Sequence, residues 1–150
     1  MRSEKKAVNL GSDTGSAMLE FIVVGVGIIM PLVYLAITVM TLHSASFAAH
    51  AAAREAARVF MASSTIAQGN STAVKVMQQA FTDHGVETSS PNITVTCTNG
   101  MCLSPGSLLN VEVASDVPLP FVPRWGDSAP LTWPVDAKVT VLIDKFRQAG

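Results

Sequence analysis

The feature that most constrains this chain is a long uncharged stretch near its start. From Phe21 to Ala53 there is no Asp, Glu, Lys or Arg. Within it, residues 21–42 are apolar apart from positions 25, 27, 31, 38 and 41. As a helix rising about 1.5 Å per residue, this segment extends roughly 33 Å, enough to cross a hydrocarbon core of about 30 Å. The sequence therefore predicts a transmembrane helix over residues 16–42, with membrane lipid as its surroundings.

The overall composition agrees with a chain that keeps apolar surface away from water by means other than its own core. Charged residues make up 14% of the 150 residues, against roughly 25% in soluble domains, and the mean hydropathy is +0.38. The net charge of -1 provides no basic surface for a polyanion, which argues against nucleic acid as a partner. A soluble core helix would not need so long an uncharged run. A cleavable secretory signal stays open, because Ala49-His50-Ala51 has the small-x-small pattern, although its apolar region is usually only about 7 to 15 residues.

The flanks of the apolar run predict its orientation. Arg2, Lys5 and Lys6 precede it, whereas no basic residue follows it until Arg54. Positive residues favour the cytoplasmic side. We expect a single-pass protein of the cytoplasmic (inner) membrane, with a cytoplasmic N-terminus and an extracytoplasmic C-terminal domain.

Beyond the span, the alanine-rich sequence predicts that the helix continues outside the membrane over residues 43–68. Alanines recur there at four-residue spacing, and small residues at that spacing let another helix approach closely. The same pattern fits a helix that lies over its own domain, so both interpretations stay open. The helix-packing alanines are Ala45, Ala49, Ala53 and Ala57.

Residues 69–150 predict an extracytoplasmic α+β domain. Asn70 or Ser71 can cap a second helix that stops at Gly85. From about residue 90 the apolar period changes to two, which predicts an antiparallel sheet of three to five strands. A segment rich in proline, from Pro118 to Pro134, is expected to be edge strand, extended loop or both. The alternating positions are Ile93, Val95 and Cys97, then Leu109, Val111 and Val113, then Val135, Ala137, Val139, Val141 and Ile143.

The two cysteines flank an Asn-Gly pair, which is a strong hairpin signal and predicts a hairpin over residues 92–103. In such a hairpin Cys97 and Cys102 form a non-hydrogen-bonded pair with Cα atoms about 4.5 Å apart, within disulfide reach. A disulfide requires an oxidising compartment, as expected outside the cytosol. Two free thiols remain an alternative, as does half of a zinc site, which lacks nearby histidines or further cysteines.

No catalytic motif is recognisable. His43 and His50 are seven residues apart, whereas metal-binding pairs on helices usually have closer spacing, so no metal site is predicted. There is no nucleophile elbow, phosphate loop or paired-carboxylate motif. We therefore expect no enzyme, no catalytic residue and no cofactor, with an envelope enzyme as the least favoured alternative.

The lone carboxylate at the start of the span is the sharpest signal. If the apolar helix begins near Ser16, Glu20 lies about 6 Å along it, at a depth where an unpaired charge costs up to a few kcal/mol. The alternative is an interfacial glutamate that reaches back to water. Gly15 followed at the fifth position by Glu20, then Phe21 and an apolar run, resembles the type IV prepilin processing signal.

Together with the stretch from Ala52 to Arg58, this motif resembles the TadE-like (TadE/TadF) pseudopilins of tight-adherence (Flp) pilus systems over residues 15 to 60. The resemblance implies a leader at 1–15, cleavage between Gly15 and Ser16 by a prepilin peptidase, and a pilin-type helix whose register depends on Glu20 and Phe21. Two features depart from the family pattern: Pro31 lies later in the span than usual, and no basic residue directly precedes Gly15.

The implied function is that of a minor pilin or pseudopilin in pilus assembly or a related secretion filament. Its partners would be other pilin-like subunits and the pilus assembly platform. The alternative is a single-pass, membrane-anchored binding or sensor module unrelated to pili. In that case the sheet and the proline-rich segment would contact a ligand in the envelope or on the surface.

Overall fold

The computed structural model describes residues 13–88, 91–98, 102–122 and 130–145. Its elements follow the order helix, helix and three strands, and the strands form one antiparallel sheet. The predicted α+β class, with a long N-terminal helix, a second helix and a small antiparallel sheet, is confirmed. The chain divides into two compact units between Ile37 and Thr38, and each is described separately below. Most of the predicted leader, residues 1–12, lies outside the described residues.

The first unit contains the beginning of helix α1 (Asp13–Ala62). This part of the helix includes Gly25, Gly27 and Pro31, all of which lower helix stability in water. Proline has no amide hydrogen, so the helix lacks one backbone hydrogen bond at Pro31. Apolar side chains on every side of the helix replace the one-sided stripe that a water-soluble helix normally carries.

In the second unit, α1 continues from Thr38 and ends at Ala62, six residues before the predicted end at 68. The physical reason lies at Ser63, whose hydroxyl donates a hydrogen bond to the Val59 carbonyl at 2.7 Å. Its amide donates to the Phe60 carbonyl at 3.1 Å, a tighter turn than the α-helical pattern. These bonds satisfy carbonyls at the helix end and let the chain turn toward the second helix.

Helix α2 spans Ile66–Asp83. The predicted cap at Asn70 or Ser71 is wrong, because the Thr65 hydroxyl accepts a hydrogen bond from the Gln68 amide at 3.2 Å and starts the helix earlier. The predicted stop is confirmed: Gly85 has φ +64°, a left-handed conformation that glycine adopts without strain. The helix therefore begins on a side-chain cap and ends on a glycine.

The sheet consists of β1 (Asn92–Cys97), β2 (Leu108–Pro118) and β3 (Thr132–Leu142), in that spatial order. Val111 pairs with Val95 on one side and Val139 on the other, so the predicted apolar positions share one face. Along β2 this face is buried at every second residue. The period-two alternation predicted for the three segments is confirmed.

The core of the second unit lies between this face of the sheet and the two helices. Its alanines bring the α1 backbone close to the sheet, and its larger side chains come from Phe60 of α1, from α2, from the strands and from Ile143. Gly69 contributes by having no side chain: a Cβ there would lie 2.7 Å from Cδ2 of Phe60, which is fully buried. The largest fully buried side chains are Phe60, Met77, Leu109, Val111, Val113, Val117 and Ile143.

The connection between β1 and β2 differs from the predicted hairpin over 92–103. Cys97 pairs with Leu109, and not with Cys102, so the partner strand begins only at Leu108. Pro105 has no amide hydrogen for a ladder, and with Gly106 at φ +78° it forms a turn that the Ser107 amide closes on the Ser104 carbonyl at 3.1 Å. The predicted Asn-Gly turn at 99–100 lies outside the described residues.

The predicted disulfide is present although the hairpin is not. Cys97, at the end of β1, is bonded to Cys102 in the connection, with their Cα atoms 4.9 Å apart. Both cysteines pack against the core beside Leu103 and Val95. The bond therefore closes a short loop at one end of the sheet.

The first and last prolines of the proline-rich segment both lie in strands of the sheet. Pro118 is the last residue of β2, and Pro134 lies in β3, which is an edge strand. An edge strand accommodates proline because one side of its backbone has no partner strand. Pro123 and Trp125 fall in residues 123–129, outside the described residues.

Candidate functional site

The largest candidate interface is the apolar surface of α1 in the first unit. From Gly15 to Ile37 every residue is exposed except Gly25, which is half-buried. Exposure reaches 79% at Phe21 and 66% at Met30. Soluble monomers rarely leave so large an apolar surface in water. The exposed large apolar residues are Met18, Leu19, Phe21, Ile22, Val23, Val24, Val26, Ile28, Ile29, Met30, Leu32, Val33, Tyr34, Leu35 and Ile37.

This surface is compatible with a single membrane span. In the part of the chain that the structure describes, α1 alone is long and apolar enough to cross a bilayer, and none of its most apolar stretch is buried. Within a helix all backbone amides and carbonyls away from the ends and from Pro31 can pair internally, as a hydrocarbon environment requires. Backbone and side-chain chemistry therefore agree with a lipid-facing helix.

Glu20 is exposed on this apolar helix. Its neighbours at three- and four-residue spacing are Ser16 and Ala17 on one side and Val23 and Val24 on the other, none of which carries a charge. The Glu20 carboxylate therefore has no ion-pair partner at these positions of its own helix. If this segment lies in lipid, Glu20 needs a cation or a donor from elsewhere.

The predicted cleavage position lies just before this carboxylate. Gly15 and Ser16 are both helical and exposed, and a Cβ built at Gly15 meets no atom within 4 Å. At about 1.5 Å per residue, the Ser16 backbone lies roughly 6 Å from the level of Glu20 along the helix. The structure thus places Gly15, Ser16, Glu20 and Phe21 within two turns of one exposed helix.

The predicted helix-packing alanines have a different environment. Ala45, Ala49, Ala53 and Ala57 are all 0–1% exposed, and the core around them includes Met77, Phe81 and strand residues. The sequence left open whether these alanines face a partner helix or the protein's own domain. The structure shows the helix lying over its own domain. A partner helix could reach these alanines only by displacing the sheet or α2.

The outward face of the same helical segment is polar and partly charged. The Arg58 guanidinium donates a hydrogen bond from Nε to Oε2 of Glu55 at 2.9 Å. This hydrogen bond, aided by the positive charge, lowers the pKa of Glu55 below its usual value and raises that of Arg58. Both side chains are substantially exposed, so the pair is a surface ion pair of small energetic weight.

The described residues contain no candidate metal-ligand cluster. No group of three or more His, Cys, Asp or Glu side chains is gathered there in a way that could hold a metal ion. His43 and His50 both lie on exposed positions of α1.

Sequence reasoning did not single out one exposed apolar group in the second unit. Phe121 is 77% exposed, Leu131 60% and Trp133 55%, and all three lie where the chain leaves β2 and enters β3. Phe121 also has φ +59°, an uncommon backbone conformation for an aromatic residue. The available signal was the mixture of large apolar residues with prolines, which predicts a loop or edge strand and, in the alternative function, a ligand contact.

Comparison with known proteins gives no family for this chain. No protein-family model, no curated protein and no solved structure matches it. The resemblance to TadE-like pseudopilins therefore depends on the residues between 15 and 60 alone.

Proposed function

We propose that the chain is a TadE-like pseudopilin, a membrane-anchored and non-catalytic subunit that takes part in assembling a Flp-type pilus or a related secretion filament. The observation that carries this proposal is the division of α1. Its first part exposes apolar side chains on all sides, and its second part is buried in a small α+β domain with a disulfide. Such a helix can anchor the chain in a membrane through its first part and hold the small domain through its second part.

The residues around the start of the span support the filament part of the proposal. After cleavage behind Gly15, the new amine at Ser16 would be a cation in a position to neutralise Glu20 of a neighbouring subunit. Because the two residues are four apart, a neighbour displaced by about 6 Å along the helix axis brings amine and carboxylate level. This pairing would fix the register between subunits in a low-dielectric environment.

The proposed location is the cytoplasmic membrane, with the N-terminus inside and the second unit outside. The basic residues ahead of the span favour this orientation, and a disulfide is stable in an extracytoplasmic compartment. The partners in this proposal are the prepilin peptidase, other pilin-like subunits and the assembly platform.

The first test is the N-terminus of the mature protein. The chain is expressed with its native prepilin peptidase, extracted from membranes and analysed by intact mass. A chain beginning at Ser16 is expected, and Gly15→Val should leave it uncleaved. Gly11→Val is the matched control, because it alters another leader glycine that lacks a glutamate five residues later, and it should be processed normally. An uncleaved wild-type chain would contradict the pilin class.

The second test addresses the assembly role. Deleting the gene should abolish pili while the major pilin remains in the membrane. Glu20→Ala should reproduce this defect in a protein that is still cleaved and anchored, and Glu20→Asp should restore part of the assembly. Normal piliation in the deletion strain would contradict the assembly role.

A membrane-anchored binding module is the second candidate, favoured by the exposed Phe121, Leu131 and Trp133 in the second unit. Such a module would need the anchor but not the prepilin motif. Glu20→Ala therefore separates the two candidates: it abolishes filament assembly in the first and leaves function intact in the second.

A further inference from the structure

The connection between β2 and β3 carries an exposed apolar tip, which we define as residues 117–122 and 130–135. No residue in these two ranges is charged, Asp116 and Asp136 directly adjoin them, and Arg124 and Asp127 lie in the intervening sequence, outside the described residues. The Leu119 amide donates to the Leu131 carbonyl at 2.9 Å, so the ladder extends past the end of the strands and holds the two sides of the tip together. Phe121, Leu131 and Trp133 project from it with more than half of their surface exposed.

The opposite end of the same sheet lies where β2 begins and β3 ends. There the chain turns through Ser104 and Ser107, and β3 is followed by Asp144 and Lys145. At about 3.3 Å per residue, Trp133 and Leu142 lie roughly 30 Å apart along β3. Both ends of the sheet expose large apolar side chains: Leu108 and Leu142 lie at the far end, and Leu131 lies at the tip together with the aromatic residues Phe121 and Trp133.

The tip lies beside the part of α1 at which the apolar run ends. A cleft of about 430 Å³ is lined by Val39, Leu42 and His43 of the helix and by Trp133 and Pro134 of β3. Leu42 is the last residue of the apolar run, and His43 and Ser44 follow it. If the helix spans the bilayer up to Leu42, the membrane surface passes at the level of Trp133.

We propose that the β2–β3 tip, through Phe121, Leu131 and Trp133, inserts into the headgroup region of the bilayer that α1 crosses. Tryptophan and other aromatic residues are enriched at this depth because their rings are apolar while the surroundings are partly hydrated. A tip whose large apolar side chains lie next to charged residues fits the boundary between headgroups and acyl chains. The occupant of this surface is lipid, and the contact gives the second unit a second attachment besides the helix.

This inference depends on the membrane anchorage within the proposed function, and it adds a step to it. A subunit attached to the bilayer at two places must withdraw the tip from lipid before it can leave the membrane. The tip contact would therefore hold the domain against the bilayer until assembly contacts replace it.

The test uses the full chain in vesicles of phosphatidylcholine and phosphatidylglycerol, with Trp125→Phe so that Trp133 is the single tryptophan. Lipids brominated near the headgroup end of the acyl chain should reduce its fluorescence about twofold relative to unlabelled vesicles, because bromine quenches only at contact distance and Trp133 would lie at that depth. The matched control combines Trp125→Phe, Trp133→Phe and Leu142→Trp, which moves the single tryptophan to the far end of β3. Its fluorescence should be unchanged by the brominated lipid.

The same vesicles are extracted with alkaline carbonate to separate the two levels of the proposal. Retained protein whose Trp133 is not quenched would overturn the tip contact and leave the anchorage standing. Equal quenching at Trp133 and in the Leu142→Trp variant would also overturn it, since the contact would not be specific to the tip. Protein released by carbonate would refute the anchorage itself. Both tryptophan variants are compared by circular dichroism, and only chains with the same unfolding temperature are interpreted.

Discussion

The two parts of helix α1 are both apolar, but their apolar side chains differ in size and in exposure. Before Ile37 the side chains are large and exposed, and in the second unit the buried positions of the helix are mostly alanines. Large side chains give area for contact with lipid, whereas alanines let a helix backbone approach a sheet closely. The comparison teaches that side-chain size, more than hydrophobicity, distinguishes the two environments along this helix.

The two parts of α1 also differ in the charge of their exposed residues. In the second unit the outward face of α1 carries Arg54, Glu55 and Arg58, as expected for contact with water. In the first unit the only charged residue from Gly15 to Ile37 is Glu20. The predictions below test how far this contrast extends, beginning with the largest expected effect.

The test with the largest expected effect places a charge among the buried alanines of α1. Ala53→Glu should lower the free energy of unfolding of the second unit by about 3 to 5 kcal/mol, because Ala53 is fully buried and an unpaired buried charge has no compensation. Ala51→Glu is the matched control on the exposed face of the same turn and should change it little. Thermal unfolding followed by circular dichroism in detergent measures both. Equal losses of stability in the two variants would mean that Ala53 is not buried.

A second test makes the same substitution in each unit. Gly69→Ala should destabilise the protein by about 1 to 3 kcal/mol, because the new Cβ would lie 2.7 Å from the buried Phe60 ring. Gly25→Ala meets no atom within 4 Å and should leave the unfolding temperature of the second unit unchanged. Denaturant titration of the two variants checks the contrast. A stabilising effect of Gly69→Ala would contradict the close packing of α2 on Phe60.

A third test asks where α2 begins. Thr65→Ala should cost about 1 kcal/mol, since the Thr65 hydroxyl caps the Gln68 amide. Asn70→Ala alters one of the two positions that the sequence predicted as the cap. It should be neutral or slightly stabilising, because alanine is the better helix former inside a helix. If the order of the two effects were reversed, the helix would begin at Asn70, and Gly69 would lie outside it.

The strands and the long helix were predictable because their signals repeat along the chain. Each strand position such as Val111 is supported by its neighbours two residues away, and the uncharged run from Phe21 extends over many turns. A single unfavourable residue does not erase such a pattern. The fold class was therefore accessible from the sequence.

The errors occurred where one local signal competed with a distant contact. The sequence predicted the start of α2 at Asn70 or Ser71, but the helix already contains Gly69. The missing side chain of Gly69 makes room for Phe60, nine residues earlier on another helix. The Asn-Gly pair indicated a tight hairpin, but the turn at Pro105-Gly106 and the long alternation of β2 determine the pairing. Of the candidate site, the order Gly15, Glu20, Phe21 was readable, whereas the position of Trp133 beside Leu42 required the fold.

The smallest effect concerns the two glutamates of α1. Glu55 has Arg58 three residues later, and this hydrogen-bonded cation lowers the pKa of Glu55 below its ordinary value of 4.5. A carboxylate with a lowered pKa in the folded state contributes stability that is present above the unfolded-state pKa and lost as the pH falls through the folded-state pKa. The free energy of unfolding of the wild type minus that of Glu55→Gln should therefore be small and constant well above pH 4.5 and should decline as the pH falls through the lowered pKa of Glu55. Added salt should reduce the difference, because both side chains are exposed. Glu20 has Val23 at the same three-residue spacing and so lacks this kind of ion pair. A pH-independent difference for Glu55→Gln would mean that the ion pair contributes nothing in solution.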